Sequence, residues 1–517
     1  MNAKSGAGVT GLALGELLRE LPMQADVRGD AAVRVRGVRH DSRRVEEGDL
    51  FVAKKGAQSD GARFVGDAVA RGAAAVLASH EAVDVVAASG VPVILVEDPS
   101  AALGYAASAV YGHPSFGLEV VGVTGTNGKT TVTHLAASAI DGAIGKPSCG
   151  VLGTVGHSFG SWRAPAGRTT PEADELARSL AAMRAHGAEY AAMEVSSHAL
   201  ALGRVRGVRF RVAAFTNLTQ DHLDFHGSLS AYGEAKARLF TELGPGAVVV
   251  NIGDTFGSDL ADRVRAPIVR VSGRSDPRAD IAPVTCAMGP DGVDAVVRSP
   301  AGDLALRSRL VGAHNLENLL VALGIACALG LDLRRAAEAL SGQGGVPGRL
   351  ERCDGPGDDI LALVDYAHTP DALARVLDAV RAVSSGGRLW CVFGCGGDRD
   401  ATKRGPMGEA VARRADVAIV TSDNPRTEDP VAIAEAVVQG VRGAGREPFV
   451  ELDRRKAIEL AVRSAKAGDV VVVAGKGHED YQVVGNVEHP FDDRIETKRA
   501  LEARRRAERQ QRDRGSP

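Results

Sequence analysis

Apolar residues in this chain come in short unbroken runs rather than in long amphipathic stripes. The clearest are AAAVLAS (73–79), VPVILVED (91–98), LEVVGVTG (118–125), YAAMEVSSH (190–198), VAAFTN (212–217), RLWCVFGCGG (388–397), DVAIVTSDNP (416–425) and DVVVVAGKG (469–477). Each leads into a Gly-, Asp- or Ser-containing turn and then an Ala-rich helical stretch. Continuous apolar strands alternating with helices predict parallel sheets covered on both faces, an α/β chain throughout.

The chain of 517 residues is too long for one core; at roughly 150 residues per domain it holds about three. Turn-rich breaks fall at YGHPSFG (111–117) and at SGQGGVPGR (341–349), the latter after the helical NLENLLVALGIACALG. They predict an N-terminal domain over 1–115, a central domain over 116–345 and a C-terminal domain over 346–505. The charged tail, 506–517, reads as a solvated helix end fraying into disorder.

A net charge of −3 gives no basic field for nucleic acid. No apolar run approaches the ~20 residues of a membrane span, and the first residues lack the apolar core and small-residue cleavage site of a signal peptide. Cys149, Cys286, Cys327, Cys353, Cys391 and Cys395 show no CxxC pair or repeated spacing. They are expected to be reduced, buried small side chains rather than disulfides or zinc ligands, and the cytoplasm is the simplest location.

The stretch VVGVTGTNGKTTV (120–132) has the strand–loop–helix order of a phosphate-binding loop. The common G-x-x-x-x-G-K-[ST] pattern would place its first glycine at 123, where Val123 stands. Gly125 and Gly128 nonetheless allow backbone N–H groups to close on phosphates, and the helix N-terminus adds partial positive charge. Lys129 is expected to reach the β- and γ-phosphates and the Thr130 hydroxyl to face Mg²⁺.

GTNGKTT resembles the nucleotide loop of the Mur ligase and folylpolyglutamate synthase superfamily, in which the early glycine is not required. The resemblance implies three α/β domains: an N-terminal UDP-binding domain, a central P-loop-type parallel-sheet domain and a C-terminal Rossmann-like domain. It implies ATP binding by Gly125, Thr126, Asn127, Gly128, Lys129, Thr130 and Thr131. Glu194 in MEVSSHAL, His222 in FTNLTQDHLDFHG and Lys236 in YGEAKARLF then acquire roles they lack singly. A lone strand-end Glu is ordinarily a cap, a lone helical Lys a surface residue, and His222 by itself favours a structural role. Together they match a metal and carbamate site, with Thr130 and Glu194 on one Mg²⁺. His222 and an N-carboxylated Lys236, its carbamate derived from CO₂, serve a second metal region. Lys129, Glu194, His222 and Lys236 are the implied catalytic set. Phosphoryl transfer between two anions explains the need, since divalent ions and Lys129 must neutralise their repulsion. Asn315 in LVGAHNLENLLVA is expected near adenine, Arg349 in VPGRLE near phosphate, and Asp365 in VDYAHTPDAL at the ribose. His314 departs from the family's usual Phe.

Motifs outside the loop are similar to the MurE type. VRHDSRRVEEGDLFVAKKGAQSDGARF suggests UDP contacts from Ser42, Ala57, Gln58 and Ser59, although DSR alone reads as a capped turn. TTPEADEL allows a capping box with Thr169 as cap and Glu172 three residues on. The resemblance instead gives Thr169, Thr170, Ser196 and Arg204 to the muramyl peptide, with Arg168 where some relatives carry Asn. DNPR resembles the diaminopimelate-selecting motif, the extra carboxylate of that amino acid matching the planar fork of Arg426. Arg399, Asp423, Asn424, Pro425, Gly475 and Glu479 complete that expected pocket.

The implied reaction is ATP-dependent addition of 2,6-diaminopimelate to UDP-N-acetylmuramoyl-L-alanyl-D-glutamate through an acyl phosphate, in peptidoglycan synthesis, by a monomeric enzyme with small-molecule substrates. Alternatives are a lysine-adding or folylpolyglutamate-synthase-like ligase and, from another class, a nucleotide-dependent switch or transport ATPase. The last leaves Lys236 and DNPR unexplained.

Overall fold

A computed structural model describes residues 11–56, 59–342, 345–384 and 386–515. Ala57 and Gln58 therefore lie outside the described residues. The chain divides into two compact units, one holding residues 1–272, 277–280 and 321–336, the other 273–276, 281–320 and 337–517.

The first unit contains two large sheets and a two-stranded one, Leu12–Ala13 with Arg34–Val35. In the N-terminal sheet of five strands the order is Ala25–Arg28, Val93–Val96, Ala75–Ser79, Asp49–Val52 and Gly37–Arg39. Only the first pair is antiparallel. Apolar side chains cover both faces, one cluster centred on Leu50, Leu77 and Ile94, the other on Phe51, Val76 and Leu95. This explains why those strands read as unbroken apolar runs.

The second sheet has eight strands, in the order Trp162–Ala164, Gly156–Phe159, Cys149–Gly153, Tyr190–Glu194, Glu119–Thr124, Phe210–Phe215, Ala247–Asn251 and Ile268–Val271. The first three run antiparallel to one another and the rest are parallel. Register pairs Val123 with Glu194 and Thr124 with Phe215, so three strands end side by side around the phosphate loop. Ligands of open α/β sheets bind at such carboxyl ends.

In the second unit a six-stranded sheet runs Glu351–Arg352, Leu361–Asp365, Val470–Ala474, Leu389–Phe393, Val417–Val420 and Phe449–Val450, parallel except for the first pair. Buried clusters again lie on both faces. Three largely parallel sheets with helices between their strands bear out the α/β chain that the alternation of runs and helices predicts.

Three features depart from that pattern. Ala282–Gly289, Gly292–Arg298 and Leu304–Ser308 form an antiparallel sheet whose strands alternate buried and exposed positions over Gly292–Ser308. The charged tail does not fray at 506, because one helix runs through Asp493–Gly515. All six cysteines are free, but only four are buried: Cys286 is exposed on the antiparallel sheet and Cys327 is partly exposed. Among the described residues no helix is long and apolar enough to cross a membrane.

Candidate functional site

Val123 is fully buried inside its strand, so the backbone does not turn there. The turn comes at Gly125, with φ of 152°, where a Cβ would stand 1.9 Å from Thr216 Oγ1 and 3.1 Å from Asn217 N. Only glycine meets both the conformation and the close approach. Gly128, at φ 84°, leads directly into the helix Lys129–Ile144.

The loop is buttressed by residues 216–219. Thr126 N donates to Asn217 O at 2.8 Å and Asn127 N to Asn217 Oδ1 at 3.0 Å. Thr216 Oγ1 donates to Asn127 O at 2.6 Å. These two loop N–H groups are thus engaged by the neighbouring strand end. The helix that follows opens on Lys129, Thr130 and Thr131, and its N-terminal turn adds the partial positive charge that suits an anion. Lys129 Nζ donates to the carbonyls of Gly125 and Thr126 at 3.0 and 2.9 Å, placing its charge beside the loop.

Glu194 is buried at the end of its strand. Its Oε2 accepts from Thr130 Oγ1 at 2.9 Å and its Oε1 from Thr154 N at 2.7 Å. A hydroxyl and one carboxylate form a hard oxygen donor pair, suited to Mg²⁺, which keeps several waters and shares its shell with phosphates. Among the described residues no group of three or more His, Cys, Asp or Glu forms a metal cage, and a cation held this way does not need one.

Lys236 is almost fully buried on the helix Leu229–Thr241 and donates to Gly125 O at 2.8 Å. Burial pushes its ammonium well below the ordinary lysine value; Lys129 adds to the effect and Asp221 opposes it. Tyr232 lies between Lys236 and His222, its ring 4.1 Å from the Lys236 ammonium and 6.1 Å from the His222 ring. His222 is half-exposed, in a left-handed conformation, 3.5 Å from Asp221 and packed edge-on against His198.

Thr169, Thr170 and Ser196 converge on the same strand end. Thr170 Oγ1 donates to Glu194 O at 2.9 Å and accepts from Ser196 N at 3.0 Å, while Thr169 accepts from Thr154 Oγ1 at 3.2 Å. The capping-box reading of Thr169 fails: the helix is Ala173–Ala185, and Glu172 itself stands at its N-cap. Glu172 cannot reach back as a capping side chain because its carboxylate is bound elsewhere. Lys54 Nζ lies at 2.5 Å, Arg204 Nε at 2.9 Å, and Arg168 also pairs with it. Burial opposes ionisation of Glu172, but Lys54 and Arg204 outweigh it and hold the carboxyl below the ordinary range. Next in the same turn, Asp174 accepts from His40 at 2.8 Å and Glu175 pairs with Arg44. The helix start is therefore tied to both sides of Ser42. Ser42 is buried in the short turn 42–44, capped by Asp41 as DSR alone suggests, and Ser59 is exposed, its carbonyl accepting from Gly56 N.

In the second unit, the ends of Leu361–Asp365, Leu389–Phe393, Val417–Val420 and Val470–Ala474 and the loops after them carry Asp365, Arg399, Asp423 to Arg426, Gly475 and Glu479, while Arg349 precedes Glu351–Arg352 and Asn315 stands on a helix. Both Asp365 oxygens are held by backbone, Oδ2 by Leu350 N at 2.7 Å and Oδ1 by Ala367 N at 2.8 Å; burial raises its pKa, against the pull of Arg349. Arg349 stacks over the Tyr366 ring at 5.0 Å. Buried Asn315, in the helix Ala313–Ala328, donates to Val311 O just before that helix and accepts from Asn318 within it, beside exposed His314.

Arg426 adopts φ of 52° and donates through one guanidinium nitrogen to Gly397 O at 2.7 Å. Its backbone is clamped by Val483 O at 3.1 Å and Gly485 N at 2.7 Å. A Cβ on Gly396 would lie 3.0 Å from the Arg426 guanidinium and 3.9 Å from Arg399 Cγ, so both side chains pass beside one glycine. Asn424 Nδ2 donates to Glu479 Oε2 at 3.0 Å, and Gly475 approaches Asp423; Pro425 is buried. Sequence reasoning missed Lys54, the ion-pair role of Glu172 and the 216–219 brace in the first unit, and fully buried Lys476 in the second.

Comparison with known proteins agrees with this layout. Family models match in three places: Mur ligase family, catalytic domain, over 34–111; Mur ligase middle domain, over 123–326; and Mur ligase, glutamate ligase domain, over 348–477. A UDP-N-acetylmuramoyl-L-alanyl-D-glutamate--2,6-diaminopimelate ligase of Gloeobacter violaceus is 48% identical, over 93% of this chain and 96% of that one. One of the same name from Streptomyces coelicolor is 44% identical, over 94% and 96%. A solved structure of a ligase of that name is 34% identical with a TM-score of 0.68, covering 96% of this chain and all of its own. By these matches, spanning nearly its whole length, the chain belongs to the Mur ligase family.

Proposed function

We propose that this chain is an ATP-dependent ligase that joins 2,6-diaminopimelate to the γ-carboxyl of D-glutamate in UDP-N-acetylmuramoyl-L-alanyl-D-glutamate, a step of peptidoglycan synthesis. The observation that carries it is the DNPR loop, where Arg426 and Arg399 pass beside Gly396 and Asn424 donates to the acid of Glu479. Such a pocket offers cations to an extra carboxylate and an anion to an ammonium.

The γ-phosphoryl of ATP passes to a substrate carboxylate oxygen, ADP leaving with the P–O electron pair. The neutral amine of diaminopimelate attacks the acyl carbon; phosphate departs and the amine gives up a proton. Activation supplies the driving force that direct amide formation in water lacks. Gly125–Thr131 holds the triphosphate, with Asn315, Arg349 and Asp365 on the nucleotide. Mg²⁺ supplies charge neutralisation between triphosphate and carboxylate, and Thr130 and Glu194 are the residues that would hold it. The lowered pKa of Lys236 favours the neutral amine, the form that adds CO₂ with loss of a proton to become a carbamate; with His222 it would serve the second metal region. Ser42 and Ser59, with Ala57 and Gln58, take the UDP portion; Thr169, Thr170, Ser196 and Arg204 take the muramyl dipeptide. The enzyme works as a cytoplasmic monomer, with domain divisions near 115, 345 and 505.

An ATP-dependent ligation assay on the UDP-muramyl dipeptide, offering meso-diaminopimelate, LL-diaminopimelate and L-lysine separately, tests the proposal. Product with a diaminopimelate isomer is expected. Preference for lysine overturns the role of Arg426, and ADP release without ligated product overturns the ligase.

A further inference from the structure

Lys476 lies between Gly475 and Glu479 in the loop after Val470–Ala474, and its side chain is fully buried. Its ammonium donates to Asn424 Oδ1 at 2.9 Å and stands 3.4 Å from both Asp423 Oδ1 and Glu479 Oε2. Burying an ammonium is costly unless close partners compensate. All three partners are residues placed above in the amino-acid pocket.

The network fixes more than a charge. Asn424 Oδ1 accepts from Lys476 and also from Val483 N at 3.0 Å. Two donors on one side force the amide nitrogen to the other, where it donates to Glu479 Oε2. Lys476 therefore holds Glu479 twice, directly and through Asn424. The neighbouring buried cation, Arg454, attracts Asp423 and Glu479 through space, but its hydrogen bonds go elsewhere. Its guanidinium is bound to Asp493 through two contacts of 2.7 Å and to the carbonyls of Ser422 and Ala474. Without Lys476, the carboxylates of Asp423 and Glu479 would lose the cation between them, and the Asn424 amide would be free to turn over.

We infer that Lys476 is a positioning residue for the incoming amino acid: it fixes the Glu479 carboxylate, directly and through the Asn424 amide, where that carboxylate receives the substrate ammonium. The inference rests on the amino-acid pocket proposed above.

The test is Lys476→Met in the full-length enzyme, with steady-state ligation kinetics varying each substrate in turn. Loss of a charge-assisted contact at an acceptor of the substrate predicts a KM for diaminopimelate raised on the order of tenfold or more, with those for ATP and the UDP precursor within about twofold. A double-mutant cycle with Glu479→Gln supplies a readout that a merely structural role would not move. In the Glu479→Gln background, Lys476→Met should have little further effect on the diaminopimelate KM, because the carboxylate it positions is gone. Should Lys476→Met fail to fold, Lys476→Gln is read by the same split and the same cycle. An unchanged diaminopimelate KM with lowered kcat, or equal penalties in both backgrounds, overturns the inference. The wild type in the same assay separates the two readings: if it ligates no diaminopimelate, the pocket assignment itself fails.

Discussion

Glu172 is the carboxylate on which the first unit concentrates its charge, and replacing it by Gln removes that charge while keeping its shape. Side-chain exposure is 7% for Glu172, 13% for Arg204, 22% for Lys54 and 55% for Arg168. At 2.9 Å and an effective dielectric near 20, the Arg204 contact alone is a gross attraction of about 6 kcal/mol. Desolvation offsets most of this. Removing one partner of a fully buried pair costs roughly 3–5 kcal/mol, and the water around Arg168 and Lys54 lowers that here. A net cost of about 2 kcal/mol follows, or roughly a 30-fold increase in local opening. A chain of several domains has no single unfolding equilibrium, so the assay is amide hydrogen exchange, read as protection of peptides from the helix Ala173–Ala185.

The pH dependence carries a sign. Because the folded pKa of Glu172 is depressed, its contribution is full above the unfolded glutamate value, about 4.3, and is lost as pH falls through the lower folded value. The protection gap between wild type and Glu172→Gln should be largest near neutrality and close in acid. Protection within about threefold of wild type at pH 7 would refute the reasoning, since it would mean that the three cations find other partners at no cost.

Three other predictions concern the reaction. Gly125→Ala places a Cβ 1.9 Å from Thr216 Oγ1 at a φ of 152°, so ATP affinity should fall on the order of tenfold or more, measured by calorimetric titration. Lys236→Ala should abolish ligation, with partial recovery on adding short-chain carboxylic acids; recovery by amines instead would argue against a carbamate. Arg426→Ala should lower kcat/KM for diaminopimelate by roughly 10- to 100-fold while changing that for lysine only about threefold, in the paired ligation assay.

How far the sequence foretold this molecule depends on the range over which each signal acts. Val120, Val123 and Val471 are buried on both faces of parallel sheets, so their runs read as strands without knowledge of any partner. The strand Gly292–Arg298 alternates buried and exposed residues, and such a half-solvated strand produces no apolar run to notice. The phosphate loop was legible for a local reason, since Gly125, Gly128 and Lys129 act within five residues of one another. Thr169 misled for the same reason: the capping-box spacing is local, but Glu172 is taken by Lys54, 118 residues earlier, and by Arg204. A buried tertiary ion pair outweighs a cap worth about 1 kcal/mol. Lys476 follows that logic in the second unit. A lysine between two glycines reads as a surface loop residue until Asp423 and Asn424, more than 50 residues away, are brought around it. What the chain conceals is therefore the set of charges whose counter-charges are distant in sequence. In the function proposed here, those charges hold the substrate-facing residues in place, while the recognisable motifs supply the residues that meet the substrate.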